Sequence, residues 1–330
     1  MRTIIMETMN RTILLSLLLI LSGVGASAAE NPPQRMRVAV PVADLRREPT
    51  PAGPTLEQDP LEESQLLYGD SVEVQETKEG WARVSTAGQM EWTHHHRWEG
   101  YPGWMEQENL IGDPGNWNPN LVVTAKLGRV LEKPGSNAPA RLLLSIGTRL
   151  AGTPDGNGWK LQLLDGTAGW ISGEEAAPLE KLAKIRLGDP AGWRARLIQT
   201  AQLFLRDPYY WGGRSAPNPA AAGVPHTALD CSGLVGLVYQ ANGMILPRDA
   251  HEQWMQAWPI SPEKLRPGDL IFLHDPENPQ KISHVMVYLH ENGAKIIEAP
   301  GTGDSVRKLP LNERLKETKG RRISFGTYLP

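Results

Sequence analysis

Cys231 is the only cysteine in the chain, so no internal disulfide can form. It sits in Leu229-Asp230-Cys231-Ser232-Gly233-Leu234-Val235 and opens an apolar stretch, 232–242, that reads as a helix closed by Gly243. Such a thiol is either an inert core group or a nucleophile. At a helix start the unsatisfied N–H groups and the dipole favour an anion. A thiol there, or beside an imidazolium, ionises more readily than a free one. The same N–H groups suit the oxyanion of a tetrahedral intermediate. A nucleophile also needs a base, and the chain offers eight histidines. His284 opens an apolar run, 284–290, that reads as a long strand. His226 lies in an irregular loop, His251 in a capping segment, and His274 and His290 at strand ends; these four read as solvated or hydrogen-bonded surface groups. His94, His95 and His96 are adjacent. In an extended segment His94 and His96 would share a face and His95 would point away. Two ligands with no further partner make a poor zinc site, so no metal and no cofactor are expected.

These residues must be positioned by short strands and many turns, since Gly (33), Pro (28) and Trp (11) are abundant while Phe (3) is scarce. An apolar run at 38–42 reads as a strand, 44–49 as a turn away from it, and 71–75 as a half-buried strand by its alternation. Strands also begin at Gly80-Trp81 and Gly103-Trp104. The order then recurs. Val130-Leu131-Glu132-Lys133-Pro134 echoes Leu45 to Pro49, and Ile146-Gly147-Thr148 echoes Tyr68-Gly69-Asp70. Gly158-Trp159 and Gly169-Trp170 echo the two Gly-Trp starts. Two copies of about five strands predict two small β-barrels, 30–115 and 116–180. Trp81, Trp104, Trp159 and Trp170 read as barrel core. The first copy carries an insertion, 90–102, that reads as a surface reaching over a neighbour.

Beyond 176–187 the periodicity changes. Asp189-Pro190 is an N-cap with Pro at N1, and Leu197, Ala201 and Phe204 mark an amphipathic helix. Asp249-Ala250-His251-Glu252 resembles a capping box. Strands follow at 270–273, 284–290 and 295–299. Helices first and antiparallel strands afterwards predict an α+β domain over 187–330. At the other end, Arg2 and Arg11, an apolar run at 13–21 and Ala26-Ser27-Ala28 read as a cleavable signal peptide, 1–28, too short to span a bilayer comfortably. Export to the periplasm or the cell exterior makes an unpaired thiol more notable, because oxidising compartments favour paired cysteines. A net charge of −3 argues against nucleic acid as a partner.

Asp230-Cys231-Ser232-Gly233-Leu234-Val235, Arg266-Pro267-Gly268-Asp269-Leu270 and Ser283-His284-Val285, with Tyr210-Trp211-Gly212-Gly213 upstream, resemble the NlpC-type bacterial cell-wall cysteine peptidases over 187–330. The Leu45–Pro49 turn and the Gly-Trp strands resemble the bacterial SH3-like domains found beside cell-wall hydrolases. The resemblance implies a papain-like fold, Cys231 as nucleophile, His284 as base and peptidoglycan stem peptides as substrate. The branch with two SH3-like domains is similar to γ-D-glutamyl-L-diamino acid endopeptidases acting on stem peptides with a free N-terminal L-alanine. That similarity implies that Asp230 and a barrel tyrosine, here Tyr101, hold the amino end. Ser232 flanks the nucleophile, and Tyr210 either lines the same pocket or packs. Asp230 also reads as a plain helix cap.

The third catalytic position departs from the family's usual His, Asn or Gln. The matching residue is Glu298, which could orient the imidazole as the acid of a serine triad does. Its face depends on the preceding turn. A four-residue loop pairs His290 with Lys295 and puts Glu298 on the face away from His284. A three-residue loop, 291–293, pairs Glu298 with Met286 and restores the shared face. Gly293 suits the left-handed position of such a loop. Two rival readings stand beside the endopeptidase: a related Cys–His amidase or acyltransferase, and a wall-binding protein whose third domain is degenerate.

Overall fold

The computed structural model describes residues 34–54, 58–135, 138–221 and 224–329; the expected signal segment lies outside them. The first sheet contains β1 (Gln34–Val38), β2 (Val42–Arg46), β3 (Glu62–Leu67), β4 (Ser71–Lys78), β5 (Trp81–Glu91), β6 (Glu99–Glu106) and β7 (Leu110–Gly112). The second contains β8 (Leu121–Val123), β9 (Leu127–Leu131), β10 (Ala140–Ser145), β11 (Arg149–Asp155), β12 (Gly158–Gln162), β13 (Ala168–Ser172) and β14 (Ala176–Pro178). Their strand orders, β3-β2-β6-β5-β4-β1-β7 and β10-β9-β13-β12-β11-β8-β14, are the same permutation. The repeat read from Gly-Trp spacing is therefore a repeat of topology.

Strand bounds differ from the sequence reading in the first copy. Residues 39–41 connect two strands, and residues 44–46, expected to turn, belong with Val42 to β2, paired with β3 through Val42↔Leu67 to Leu45↔Ser64. Burial explains it: all of β2 and β3 is buried between neighbours, so neither shows the alternation of a half-exposed strand. Trp81, Trp104, Trp159 and Trp170 are half-buried rather than core. The cores are built on Leu45, Leu66, Val84 and Met105 in one sheet and Leu121, Leu144, Leu161 and Ile171 in the other. The turn after β3 needs glycine. Gly69 has φ +85°, and a Cβ there would stand 2.1 Å from the Trp117 ring.

The remaining chain forms α1 (Leu179–Gly188), α2 (Pro190–Gln202), α3 (Cys231–Gln240), α4 (Ala250–Gln256), β15 (Trp258–Pro259), β16 (Leu270–His274), β17 (Ile282–His290), β18 (Ala294–Glu298), β19 (Arg307–Pro310), α5 (Leu311–Glu317) and β20 (Ile323–Thr327). The antiparallel sheet runs β15-β20-β16-β17-β18-β19. Asp189 caps α2 by accepting from the Gly192 N–H at 2.9 Å. α3 is buried from Ser232 to Gln240, as its continuous apolar run requires, and the turn at Gly243 (φ +86°) ends it. Its core is not confined to this part of the chain: Val42 and Leu67 of the first sheet and Ile146 of the second belong to the same apolar cluster as Leu234, Leu237, Phe272 and Val285.

Candidate active site

Cys231 is the first residue of α3 because Asp230 stops the chain from being helical one residue earlier. Asp230 is extended (φ −92°, ψ −177°), and its Oδ1 accepts from the Gly233 N–H at 2.6 Å. The cap holds α3's start against the sheet, where His284 is the third residue of β17 rather than its first. The thiol is hydrogen-bonded to the imidazole. His284 Nε2 lies 2.6 Å from Glu298 Oε2, which leaves Nδ1 to the thiol.

Glu298 reaches His284 because the hairpin has the three-residue loop. His290 pairs with Ala294 and Val287 with Ile297, which sets Glu298 against Met286, and Gly293 carries φ +108°. Glu298 is fully buried and its carboxylate is saturated. Arg307 on β19 donates to Oε1 through Nε (2.9 Å) and Nη2 (2.8 Å), and Arg314 Nε on α5 donates to Oε2 at 2.9 Å. Burial alone would raise the Glu298 pKa; the hydrogen bond and charge of His284, then Arg314, bring it down to about 2. For His284 burial works against the charged form, but the charge and hydrogen bond of Cys231, then those of Glu298, raise it to about 9. The imidazole is thereby held as an imidazolium at neutral pH, the state that pairs with a thiolate.

Asp230 does more than cap. Arg248, 2% exposed, donates Nη2 to Asp230 Oδ2 at 2.8 Å and Nη1 to Oδ1 at 3.2 Å, and also reaches Ser232 Oγ (3.0 Å), the Gly212 carbonyl (2.8 Å) and Ser64 Oγ of β3 (2.7 Å). Ser232 Oγ in turn donates to Asp230 Oδ1. Tyr101 is buried, its hydroxyl 3.0 Å from Asp249 Oδ2 and 3.1 Å from Glu63 Oε2. Burial first, then the charges of Asp249 and Glu63, raise its pKa well above the ordinary phenol value. The phenol has one proton for two carboxylates. Asp249 itself is pushed up to about 7, chiefly by burial.

Several expectations need correction here. Asp249 makes no side-chain cap to α4, and Glu252 does not close a capping box. Glu252 instead reaches the insertion, accepting from the Thr93 N–H (3.0 Å), the Trp92 N–H (3.3 Å) and Thr93 Oγ1 (2.5 Å). With the Arg248 N–H donating to the Met90 carbonyl at 3.0 Å, this docks the insertion on the peptidase part, as a surface reaching over a neighbour should. The three histidines lie in a turn, not an extended segment, and His96 has φ +53°. His95, expected to point away, lies beside carboxylates, as does His94 (3.0 Å from Glu91): Glu91, His95 and Glu99 offer atoms within 4.8 Å of one another. Arg97 already donates to Glu99 at 2.7 Å, and His95 bonds the same carboxylate. The cluster is described by these ion pairs. His274 is buried, not superficial, between the Pro279 carbonyl (2.6 Å) and Ser324 Oγ (2.7 Å).

Tyr210 is buried with its ring 5.2 Å from that of His226. Burial, then the charges of Glu62, Asp44 and Asp59, raise its pKa, which places it toward the first sheet. Its neighbour Tyr209 is the tyrosine near the nucleophile, where burial and then Asp230 and Cys231 raise its pKa. Sequence reasoning also missed Arg248, Asp249, Glu63, Arg307 and Arg314. One signal was available for Arg307: once the turn after Glu298 is known, Arg307 is its cross-strand partner on β19.

A thiol at a helix start, hydrogen-bonded to an imidazole from the adjoining antiparallel sheet, defines a cysteine peptidase with a papain-like domain. Residues 206–322 match the NlpC/P60 family; the chain carries an NlpC/P60 domain. Over 274 residues it is 29% identical to a γ-D-glutamyl-L-lysine dipeptidyl-peptidase of Bacillus cereus, covering 81% of this chain and 75% of that one. Over 256 residues it is 28% identical to the protein of the same name from Bacillus subtilis, covering 77% and 78%. The crystal structure of an NlpC/P60 family protein from Bacillus cereus superposes with a TM-score of 0.72 at 26% identity, covering 90% of this chain and all of that one.

Proposed function

We propose that this enzyme is an exported endopeptidase that cuts the amide between γ-D-glutamate and the L-diamino acid of peptidoglycan stem peptides, taking those with a free N-terminal L-alanine. The relatives named for a γ-D-glutamyl-L-lysine bond support the choice of bond. The observation that carries the choice of terminus is the pocket of Tyr101, Asp249 and Glu63, where one phenolic proton faces two carboxylates. Arg47 already pairs with Glu63 at 2.5 Å and Arg248 lies 3.6 Å from Asp249, and an ammonium group would add donors and positive charge to the remaining carboxylate oxygens. Asp230 Oδ2, with Arg248 as its one donor here, can accept another. Ser232 acts through Asp230. Tyr210 is not assigned to the pocket.

In this reading the Cys231 thiolate attacks the γ-carbonyl carbon of D-glutamate. The N–H groups at the start of α3 face the oxyanion, Gly233's being engaged by Asp230. His284 gives its proton to the departing amine, then takes one from the water that releases the acyl-enzyme. Glu298 keeps the ring oriented and the imidazolium stable. We also assign 1–28 to a signal peptide, 30–115 and 116–180 to SH3-like domains and 187–330 to the peptidase. The shared strand order of the two sheets supports the repeat. Incubating the enzyme with L-Ala-γ-D-Glu-L-Lys and its diaminopimelate counterpart, followed by mass spectrometry, tests the reading. Release of L-Ala-γ-D-Glu is expected. Cleavage of the muramoyl–L-alanine bond in muropeptides would make the protein an amidase, and a Cys231→Ala variant with undiminished activity in cells would make it a binding protein.

A further inference from the structure

A fully buried carboxylate needs fixed partners, and Glu298 has two that the family's usual neutral third residue would not require. Arg307 holds Oε1 with two donors, while Arg314 Nε sits across both oxygens, 2.8 Å from Oε1 and 2.9 Å from Oε2, the oxygen that lies against His284. The arginines come from different elements, β19 and α5, and both are tied to Glu317 at 2.7 Å and 3.4 Å. Arg314 is buried, whereas Arg307 is about one-third exposed. We propose that Arg314, assisted by Arg307, is a positioning residue for catalysis: it locks the Glu298 carboxylate in its charged form and in the rotamer that presents Oε2 to His284, and thereby sustains the imidazolium beside Cys231.

The charges around this pair can be followed element by element. Glu298 on β18 faces His284 on β17, Arg307 on β19, and Arg314 on α5; His284 faces Cys231 on α3. Glu317 on α5 contacts only the arginines, and Arg321 is near enough to Arg314 to feel its charge. Without Arg314 only His284 and Arg307 would oppose the burial of Glu298, and its protonated form would be less disfavoured. A neutral carboxyl no longer stabilises the imidazolium, and the imidazolium no longer supports the thiolate. Among the described residues Arg314 bonds to Glu298 and Glu317, so it acts on the imidazole through Glu298.

The inference rests on Cys231 and His284 as the reacting pair but not on the substrate, so the test should not use the substrate alone. Cys231 is the only cysteine, and its alkylation by iodoacetamide reports that site without ambiguity. In Arg314→Gln the onset of alkylation with pH should move at least one unit upward, while Arg314→Lys, which keeps the charge, should move it far less. Glu298→Gln should move it similarly, and Arg314→Gln added to Glu298→Gln should move it no further. With L-Ala-γ-D-Glu-L-Lys, Arg314→Gln should lower kcat at least tenfold with KM within twofold. A uniform fall in rate at every pH, tracking a lower melting temperature, would make the arginine merely structural. Additive shifts in the double variant would show that it does not act through Glu298. Either result overturns the proposal. Normal alkylation profiles with no peptide cleavage in the wild type would instead fault the substrate.

Discussion

Glu298 and His284 titrate in opposite directions, and each leaves a mark on stability. Glu298 is brought from 4.5 to about 2 on folding, so its contribution is complete above pH 4.5 and is lost as pH falls toward 2. His284 is raised from 6.5 to about 9, so its contribution is complete below pH 6.5 and is lost as pH rises toward 9. Both operate fully between pH 4.5 and 6.5. Melting temperatures of the wild type against Glu298→Gln across pH should therefore differ most in that window and converge at pH 2. The same substitution should cost activity at neutral pH by about 10²–10⁴-fold, the range associated with a general base and its orienting acid, read as kcat on the tripeptide. Of this site, the start of α3 at Cys231 and the Asp230 cap were legible from residue type and order, whereas the pairing of His284 with Cys231 came from the family resemblance. The role of Glu298 was legible only as one of two registers, because a single residue in the loop length inverts its face. Arg314 left no sequence signal, since its contact with Glu298 arises from how α5 returns across the sheet.

At the scale of elements, the insertion between β5 and β6 is held by Glu252, a buried residue on α4 that accepts from Trp92 and Thr93. The tyrosine beside these carboxylates, Tyr101, lies on β6 in the last part of the insertion, and the His94 ring stands edge-on to it at 5.2 Å. Releasing the insertion should therefore loosen one wall of the pocket without touching the thiol. Glu252→Ala, which leaves donors unpaired, is expected to cost about 1–3 kcal/mol. It should raise KM for a free-amine peptide several-fold while the Cys231 alkylation rate stays unchanged. Equal KM values in variant and wild type would detach the insertion from substrate selection. The residues of this wall explain why the capping reading of 249–252 failed: Asp249 and Glu252 have the right types and spacing for a capping box, but their donors come from β6 and from the turn of the insertion, far away in sequence. Local pattern cannot weigh such partners.

For the molecule as a whole, the peptidase core and the two N-terminal sheets are not independent. Val42, Leu67 and Ile146 pack in the peptidase's own cluster. Arg248 joins Ser64 to Asp230, and Gln65 Nε2 donates to the His226 carbonyl at 2.7 Å while its Oε1 accepts from Ser215 Oγ at 2.7 Å. Calorimetry should thus show residues 34–329 unfolding in one transition, not as separable sheets. Leu67→Ala, which empties part of a shared core, should lower the stability of the whole by about 2–5 kcal/mol. Arg248→Met, which strands the buried Asp230, should cost about 3–5 kcal/mol and also impair substrate binding. The repeat was legible from four echoes, three of them Gly-centred, but this fusion of cores was not, because β2 and β3 are buried on both faces and carry no alternating pattern to reveal them.

The central claim joins the Cys231 chemistry to an acidic pocket that selects a free amine, and one comparison reaches both. It is the ratio of kcat/KM for L-Ala-γ-D-Glu-L-Lys to that for the same peptide N-acetylated, measured in the wild type and in Asp249→Asn, which removes one of the carboxylates that would accept the ammonium. The ratio should be well above one in the wild type, should fall toward one in Asp249→Asn, and all turnover should vanish in Cys231→Ala. Equal rates on the free and acetylated peptides in the wild type would contradict it.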